Sequence, residues 1–335
     1  MESRFLLKRT LLLFFGLILC NTLFAVKYYV NDGSFSETGS KCNAIGATSN
    51  NGKSISTPAA TIQQVVNAYT FLPGDTIFVD PGNYNSSPYK NKDVKLNGIN
   101  GLVILGVDPQ TTIIDYKCDF GCNGIVLFTM TNCNNITISN LTLKGYHSNS
   151  TSIGDLLNIS NSSGVVVNNV SFGQNFSSVG VQSIMVNSNS SAVFNGVAFG
   201  CMGTGSSSGT YTTSRNGAMF IGTSNVDVTI NNSVISDNNN TLVSKGAGIY
   251  ISGSNTVVCK INGTEFSNNV GHDGAAIAVD GTGPFLTVKN SCFVNNTGDS
   301  WSSGYGGAVI VESGKSVFQN CTSWRLKRQY SKNIL

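Results

Sequence analysis

The sequence predicts an all-β chain wound as a parallel β-helix, and three observations carry that reading. One short phrase returns between residue 138 and the C-terminus: an apolar residue, one spacer, Asn or Gly, two residues, then usually Phe, Leu or Ile. It reads Ile138-Ser139-Asn140 to Leu143, Val167-Asn168-Asn169 to Phe172, Phe194-Asn195-Gly196 to Phe199, Ile230-Asn231-Asn232 to Ile235, Ile261-Asn262-Gly263 to Phe266, Val288-Lys289-Asn290 to Phe293, and Phe318-Gln319-Asn320. The period, roughly 25 to 37 residues, falls in the range of solenoid repeats. The third position holds only Asn or Gly, the residues that accept left-handed backbone at low cost, so each copy is expected to bend sharply there. Residues alternate about the bend, with Ile261, Phe266, Val288 and Phe293 inward and Glu265, Lys289 and Cys292 outward, a period-two pattern on both sides of a corner.

Residues 1–25 carry Arg4, Lys8 and Arg9, the apolar run Leu11 to Leu19 and a small-residue exit near Ala25, the pattern of a secretory signal peptide. The competing reading is a membrane anchor, because Leu23 suits the third position before a cut poorly. No second apolar stretch is long enough to span a bilayer, so after signal removal the chain is expected outside the cell or on its surface, with no transmembrane segment. Residues 26–57 read as a first strand, Tyr28-Tyr29-Val30, and a loose Ser/Gly/Asn-rich loop. The solenoid is expected over 58–322.

A second phrase precedes each later bend: Gly217-Ala218-Met219-Phe220-Ile221, then strands entered from Gly246, Gly274 and Gly306. Three strands per period with no helix between them describe a coil in which each strand pairs with its own copy one turn on. The longest interruption, Gly200 to Asn216, reads as an extruded loop. Its Gly-x-Ser-x-Gly match at Gly205 to Gly209 lacks the strand before and helix after that nucleophile chemistry needs. Residues 323–335 break the repeat in mid-strand: where an inward Phe is due the chain reads Ser323-Trp324-Arg325. Two readings of this basic tail are a native molecule that continues with more turns and a binding or processing element around Lys327-Arg328.

The phrases Gly246 to Ile251 with Phe266-Ser267-Asn268-Asn269, and Gly274 to Val279 with Phe293-Val294-Asn295-Asn296, are similar to the GGAI and FxxN repeats of polymorphic outer-membrane-type adhesin passenger domains. Together with Thr61 to Ala68, Gly74 to Val79 and Pro81 to Tyr84, they make residues 55 to 322 resemble the pectin-lyase-like right-handed parallel β-helix superfamily. The resemblance implies a right-handed coil and a short capping helix on its first turn. It fixes no activity, since that superfamily holds lyases, hydrolases, esterases and adhesins.

Without the signal segment, eight cysteines remain: Cys42, Cys118, Cys122, Cys133, Cys201, Cys259, Cys292 and Cys321. An even set in an oxidising compartment predicts disulfides, though Cys292 and Cys321 fall on opposite faces by alternation. Only Cys118 and Cys122 are close in sequence, and neither His147 nor His272 stands at finger spacing, so no metal or other cofactor is expected. A net charge of +3 in a chain that is 11% charged argues against a nucleic-acid partner. Asn-x-Ser/Thr triplets are abundant; corner residues such as Asn140, Asn169 and Asn320 are expected to bond to their stacked copies, which leaves Asn149, Asn239 and Asn295 as glycosylation candidates.

The resemblance implies catalytic groups on outward positions of one strand face and the adjoining loops. The outward positions weighed in the Gly-entered strands are Asn158, Tyr250, Ala278 and Ile310, none an acid or base. Gly271-His272-Asp273-Gly274 approaches the polygalacturonase Gly-His-Gly and Asp119-Phe120 the pectinesterase Asp-Phe, but the partner residues of both signatures are missing. What remains is a corner where the loops between repeats stack: Asp237 and Lys245, then His272 and Asp273, then Asp299, Trp301 and Tyr305, beside Tyr211 and Arg215. Arg215, Asp237, His272, Asp273, Asp299, Trp301 and Tyr305 are the candidate ligand-binding residues. Three readings stand for that corner: a solvated edge of turn residues, a carbohydrate site, and hydrolysis by an Asp237–Asp273 pair. The expectation is a secreted or cell-surface β-helix, a non-catalytic structural, adhesive or carbohydrate-binding module whose partner is a polysaccharide or cell-surface glycan. The alternative is a lyase or glycoside hydrolase acting on acidic polysaccharide.

Overall fold

A computed structural model describes residues 24–116, 126–145, 147–148, 155–173, 176–177, 183–200, 218–298 and 307–324. These residues form a parallel β-solenoid, and each strand pairs in register with its counterpart one turn on. Sheet one has eight strands, from Val94–Asn97 through Leu157–Ser160, Ile249–Gly253 and Ile277–Gly281 to Val309–Val311. Sheets two and three join around the Asn/Gly bend into one seventeen-stranded sheet. Sheet two starts at Lys27–Val30, which pairs with Thr76–Val79, so the coil begins before residue 58. Among the described residues no helix is long and apolar enough to cross a membrane.

The bend adopts the conformation that its residue types predict. Asn140, Asn169, Gly196, Asn232, Gly263, Asn290 and Asn320 all have φ between +49° and +61°. Copies that stack in this corner hydrogen-bond to one another: Asn169 Nδ2 donates to Asn140 Oδ1 at 3.0 Å and Asn320 Nδ2 to Asn290 Oδ1 at 3.3 Å. A second column, Asn161, Asn189 and Asn225, turns sheet one into sheet two with the same conformation, and Asn225 Nδ2 donates to Asn189 Oδ1 at 2.9 Å.

Inward side chains stack by kind. Sheet two contributes a column that includes Ile77, Ile104, Ile138, Val167, Phe194, Ile230, Ile261 and Val288; sheet three contributes Ile114, Leu143, Phe172, Phe199, Ile235, Phe266 and Phe293. Phe266 and Phe293 lie nearly parallel, with ring centroids 5.0 Å apart, and Phe172 and Phe199 do the same at 4.9 Å. Below Phe293 the column meets Ser323 in register, so it loses its aromatic member where the repeat pattern fails.

Beside this core runs a polar column. Asn238, Asn269 and Asn296 are all buried; Asn238 Nδ2 donates to Asn269 Oδ1 at 2.7 Å and Asn269 Nδ2 to Asn296 Oδ1 at 2.8 Å. Asn269 and Asn296 also donate to the carbonyls of Ile235 and Phe266, each at 2.8 Å. A buried amide costs little only when its donors and acceptors are met, and stacking supplies partners from the next turn for Asn269 and Asn296; Asn238 Oδ1, at the head of the column, has none among the described residues.

The first-turn helix spans Ile62–Ala68, with Thr61 Oγ1 accepting from Gln64 N at 3.1 Å and Ile62 and Val65 turned into the core. The 26–57 segment is tied down, unlike the loose loop its composition predicts. Buried Asp80 accepts from the Ser40 hydroxyl and from Lys41 N at 2.7 Å, and Asp32 from Ser34 N and Asn83 N, both at 2.9 Å.

The disulfide expectation fails for the described cysteines: Cys42, Cys133, Cys259, Cys292 and Cys321 are free. Cys42, Cys133 and Cys259 are buried apolar neighbours of the core, and burial, helped by Asp80, pushes the Cys42 thiol up to about 12. Cys118, Cys122 and Cys201 lie outside the described residues, as do residues 1–23 of the expected 1–25 signal peptide and residues 325–335 of the 323–335 tail.

Phe266→Ala is expected to cost about 3 to 5 kcal/mol through lost burial and a cavity, against under about 0.5 kcal/mol for the outward Glu265→Ala. Equal losses in urea melts would contradict the inside–outside assignment. At the bend, a Cβ on Gly263 would lie 2.5 Å from Asn232 Oδ1, the movable end of a side chain. Gly263→Asn is therefore expected to melt well above Gly263→Val, whose β-branch resists positive φ; coincident thermal melts would mean that side-chain shape at the bend does not matter.

Candidate functional site

Outward positions of sheet one form two parallel rows. Register sets Asn158, Met185, Phe220, Tyr250, Ala278 and Ile310 on successive turns in the first row. Two residues further along the same face, the second row runs Ser160, Asn187, Gly222, Ser252 and Asp280. Glu312 follows on the next turn, its N–H donating to Val279 O at 2.9 Å. Ala278 and Ile310 point away from the core yet are buried.

Gly222 decides the shape of this face. A Cβ there would lie 2.6 Å from Phe220 Cε1 and from the Ser252 carbonyl oxygen, so the Phe220 ring folds down over the glycine and lies along the sheet. Tyr250, one turn on, places its ring centroid 5.6 Å away at 49°. The two rings make a half-buried aromatic platform.

Polar groups continue from the platform. Lys245 Nζ donates to Asp280 Oδ2 at 2.9 Å and also to Glu312 Oε2, joining carboxylates on adjacent turns. Gly281 N donates to Asp280 Oδ1 at 2.6 Å, and the Tyr250 hydroxyl lies close enough to Asp280 to help lower its carboxyl. Burial alone would raise the Asp280 carboxyl; hydrogen bonds from Lys245 and Gly281, the lysine's charge and the Tyr250 hydroxyl outweigh it and hold the group below the usual carboxylate range. Burial would likewise lower the Lys245 ammonium, but Glu312 and Asp280 outweigh it and hold it above its ordinary value.

The predicted corner is built differently. Instead of plain loops, the segments Asn239–Lys245, Val270–Asp273 and Thr297–Gly298 pair as a small parallel sheet, because stacked backbone must find partners. His272 and Asp273 stand on the middle strand, and Asp273 is in register with Lys245. Asp237 is apart from them in a third left-handed column, where its carboxylate accepts from Asn268 Nδ2 at 3.2 Å. The counterpart of Asp237 one turn on is thus Asn268. Arg215, Asp299, Trp301 and Tyr305 lie outside the described residues, as does Asn149. Asn239 begins the outer strand of the small sheet. Asn295 joins the Asp237 column, donating from Nδ2 to Asn268 Oδ1 at 3.4 Å, which puts it among the stacked corner residues rather than the open loops.

Sequence reasoning missed Asp280 and Glu312. Both lie two residues beyond the outward positions weighed, Ala278 and Ile310, and strict alternation puts them on the same face. Lys245 was visible only as a loop residue; its reach to Asp280, 35 residues on, needs the coil.

An open groove of about 580 Å³ outside the bend is lined by Asn232, Val234, Gly263, Glu265, Asn290 and Cys292 among others. The Asn290 amide is committed to the bend, donating to Asn262 Oδ1 at 2.8 Å, so the groove offers less free polar chemistry than sheet one.

No protein-family model matches the chain, and no curated protein is similar enough to align with it. Among solved structures, an alginate lyase from Paenibacillus sp. str. FPU-7 is 13% identical with a TM-score of 0.34, over 79% of this chain and 98% of that one. The catalytic domain of a GH87 alpha-1,3-glucanase in complex with nigerose is 12% identical with a TM-score of 0.25, over 78% of this chain and 64% of that one. The A-module of an Azotobacter vinelandii mannuronan C-5 epimerase is 14% identical with a TM-score of 0.20, over 79% and 94%. At such scores the likeness assigns this chain no activity and no substrate.

The charge network has a testable signature. A depressed carboxyl such as Asp280 contributes stability above the unfolded carboxylate range and loses it as pH falls through its lower folded value. The raised Lys245 ammonium contributes below the ordinary lysine range and loses that contribution only as pH rises through its higher folded value. Lys245→Gln is therefore expected to move the Asp280 titration upward in carboxyl-observed NMR. An unmoved midpoint would show that Lys245 is not what holds Asp280 ionised.

Proposed function

We propose that the protein is a carbohydrate-binding β-solenoid, acting outside the cell, that takes a polysaccharide chain along the outer face of sheet one. The observation that carries this reading is the aromatic platform: Phe220 laid flat over Gly222, with Tyr250 one turn on. Ring faces stack on the C–H faces of pyranose rings, and charged or amide groups beside them take the sugar hydroxyls. The spacing of turns, about 4.8 Å, sets successive binding groups roughly one sugar residue apart. The extracellular setting rests on the signal-peptide pattern of residues 1–25.

One observation favours the enzymatic alternative: Asp280 and Glu312 sit on adjacent turns, near the carboxyl separation of about 5 Å that retaining glycoside hydrolysis uses. The charge states favour binding. Retaining hydrolysis wants one carboxyl that carries a proton beside one that is ionised, whereas Lys245 donates to both; elimination wants a base free of its proton, and Lys245 is held charged.

The test is a glycan array with purified protein, followed by titration calorimetry against a retained polysaccharide. Phe220→Ala and Tyr250→Ala are each expected to weaken binding by about tenfold, or about 1.4 kcal/mol. Gly222→Ala should do the same by lifting the Phe220 ring, while Glu265→Ala on sheet three should leave binding unchanged. Binding to no glycan, or binding insensitive to both aromatic substitutions, would overturn the proposal. Release of reducing ends or unsaturated products by the wild type, abolished in Asp280→Asn, would establish the enzymatic alternative instead.

A further inference from the structure

Charge on the sheet-one face narrows the class of ligand. We infer that the polysaccharide is uncharged, a neutral glycan whose hydroxyls donate to Asp280 and Glu312 beside the Phe220–Tyr250 platform; this rests on the reading of sheet one as the binding face.

Among the described residues this network holds two carboxylates against one ammonium, since Lys245 bridges Asp280 and Glu312. Among the described residues the lysine on an outward position of sheet one is Lys95, on the first strand of that sheet, where it pairs with Asp93 at 2.7 Å. A uronate laid on the platform would bring a third carboxylate beside two others, with the nearby ammonium already shared between them. Like charges at that range repel, and the partly buried setting screens them less than bulk water does.

A neutral sugar meets the opposite situation. An ionised carboxyl has about four acceptor sites. Among the described residues Asp280 accepts from Lys245 and Gly281, and Glu312 from Lys245. Acceptors therefore remain for hydroxyl donors, and hydrogen bonds to ionised acceptors are the stronger kind. Lys245 has three N–H donors, and among the described residues these carboxylates take two. Tyr250, close to Asp280, presents its ring to the sugar's C–H face. Ordered this way, the face matches a ligand with many hydroxyls and no charge.

The experiment is affinity electrophoresis of the full chain through gels that hold one polymer each: neutral α- and β-glucans, and alginate and polygalacturonate as acidic probes, with and without calcium. Retardation by at least one neutral glucan is expected, with the acidic polymers at least about tenfold weaker at low salt. Glu312→Gln should weaken neutral-glucan retardation by about fivefold, through loss of a charged acceptor, and should narrow the gap to the acidic polymers. Glu312→Gln must keep the wild-type melting temperature, and Asp280→Asn serves as the second variant if it does not. Acidic polymers bound as tightly as neutral ones, with or without calcium, would overturn this inference; if Phe220→Ala then still abolished retardation, sheet one would remain the binding face. Retardation by neither class would overturn both.

Discussion

Strand after strand of this solenoid rests on its own counterpart one turn away, and that vertical repetition is the constraint from which the rest follows. A side chain is admissible only if it tolerates a copy of itself about 4.8 Å above and below. Apolar residues satisfy the condition by packing, as the parallel rings of Phe266 and Phe293 do. Amides satisfy it by alternating donor and acceptor, so Asn can occupy the bend, the sheet-two rim and even the interior. Charged residues satisfy it only with an opposite partner between copies, as Lys245 provides for Asp280 and Glu312. The composition follows: a chain rich in Asn, Ser and Gly, with 11% charged residues, is what stacking permits.

Where a property repeats, the sequence displays it. The left-handed bend was legible at all seven third positions because Asn and Gly alone fill them. The aromatic column and its end at Ser323 were legible because alternation fixes which residues face inward. The site was far less legible. Phe220, Gly222, Asp280 and Glu312 each occur once at their positions in the stack, and only the accumulated register of the coil brings them to one face. The FxxN phrase was visible as a motif, but nothing local says that its Asn, at 269 and 296, is an interior residue; burial of an amide makes sense only once the partner from the next turn is known.

For the described cysteines the disulfide expectation failed for a related reason. Counting cysteines assumes that they exist to be paired, whereas Cys259 occupies an inward position of sheet two and serves there as a small apolar residue. Compartment arguments speak to what thiols are permitted to do, while the register of the strand decides what each one touches. The small sheet in the third corner shows the same priority of backbone over composition. Segments that read as turns pair because stacked peptide groups must be satisfied by their neighbours.

The interior column Asn238, Asn269, Asn296 bears on how such a molecule changes length over generations. Each amide is useful only when another stands one complete turn away, so a deletion or insertion of a few residues would leave a buried amide facing a hydrocarbon wall. Gain or loss of one whole period keeps the Asn269 and Asn296 amides matched. Recombination between repeats can therefore lengthen or shorten the coil only in units of one turn, and variants of this gene that still fold would differ in size by steps of a repeat.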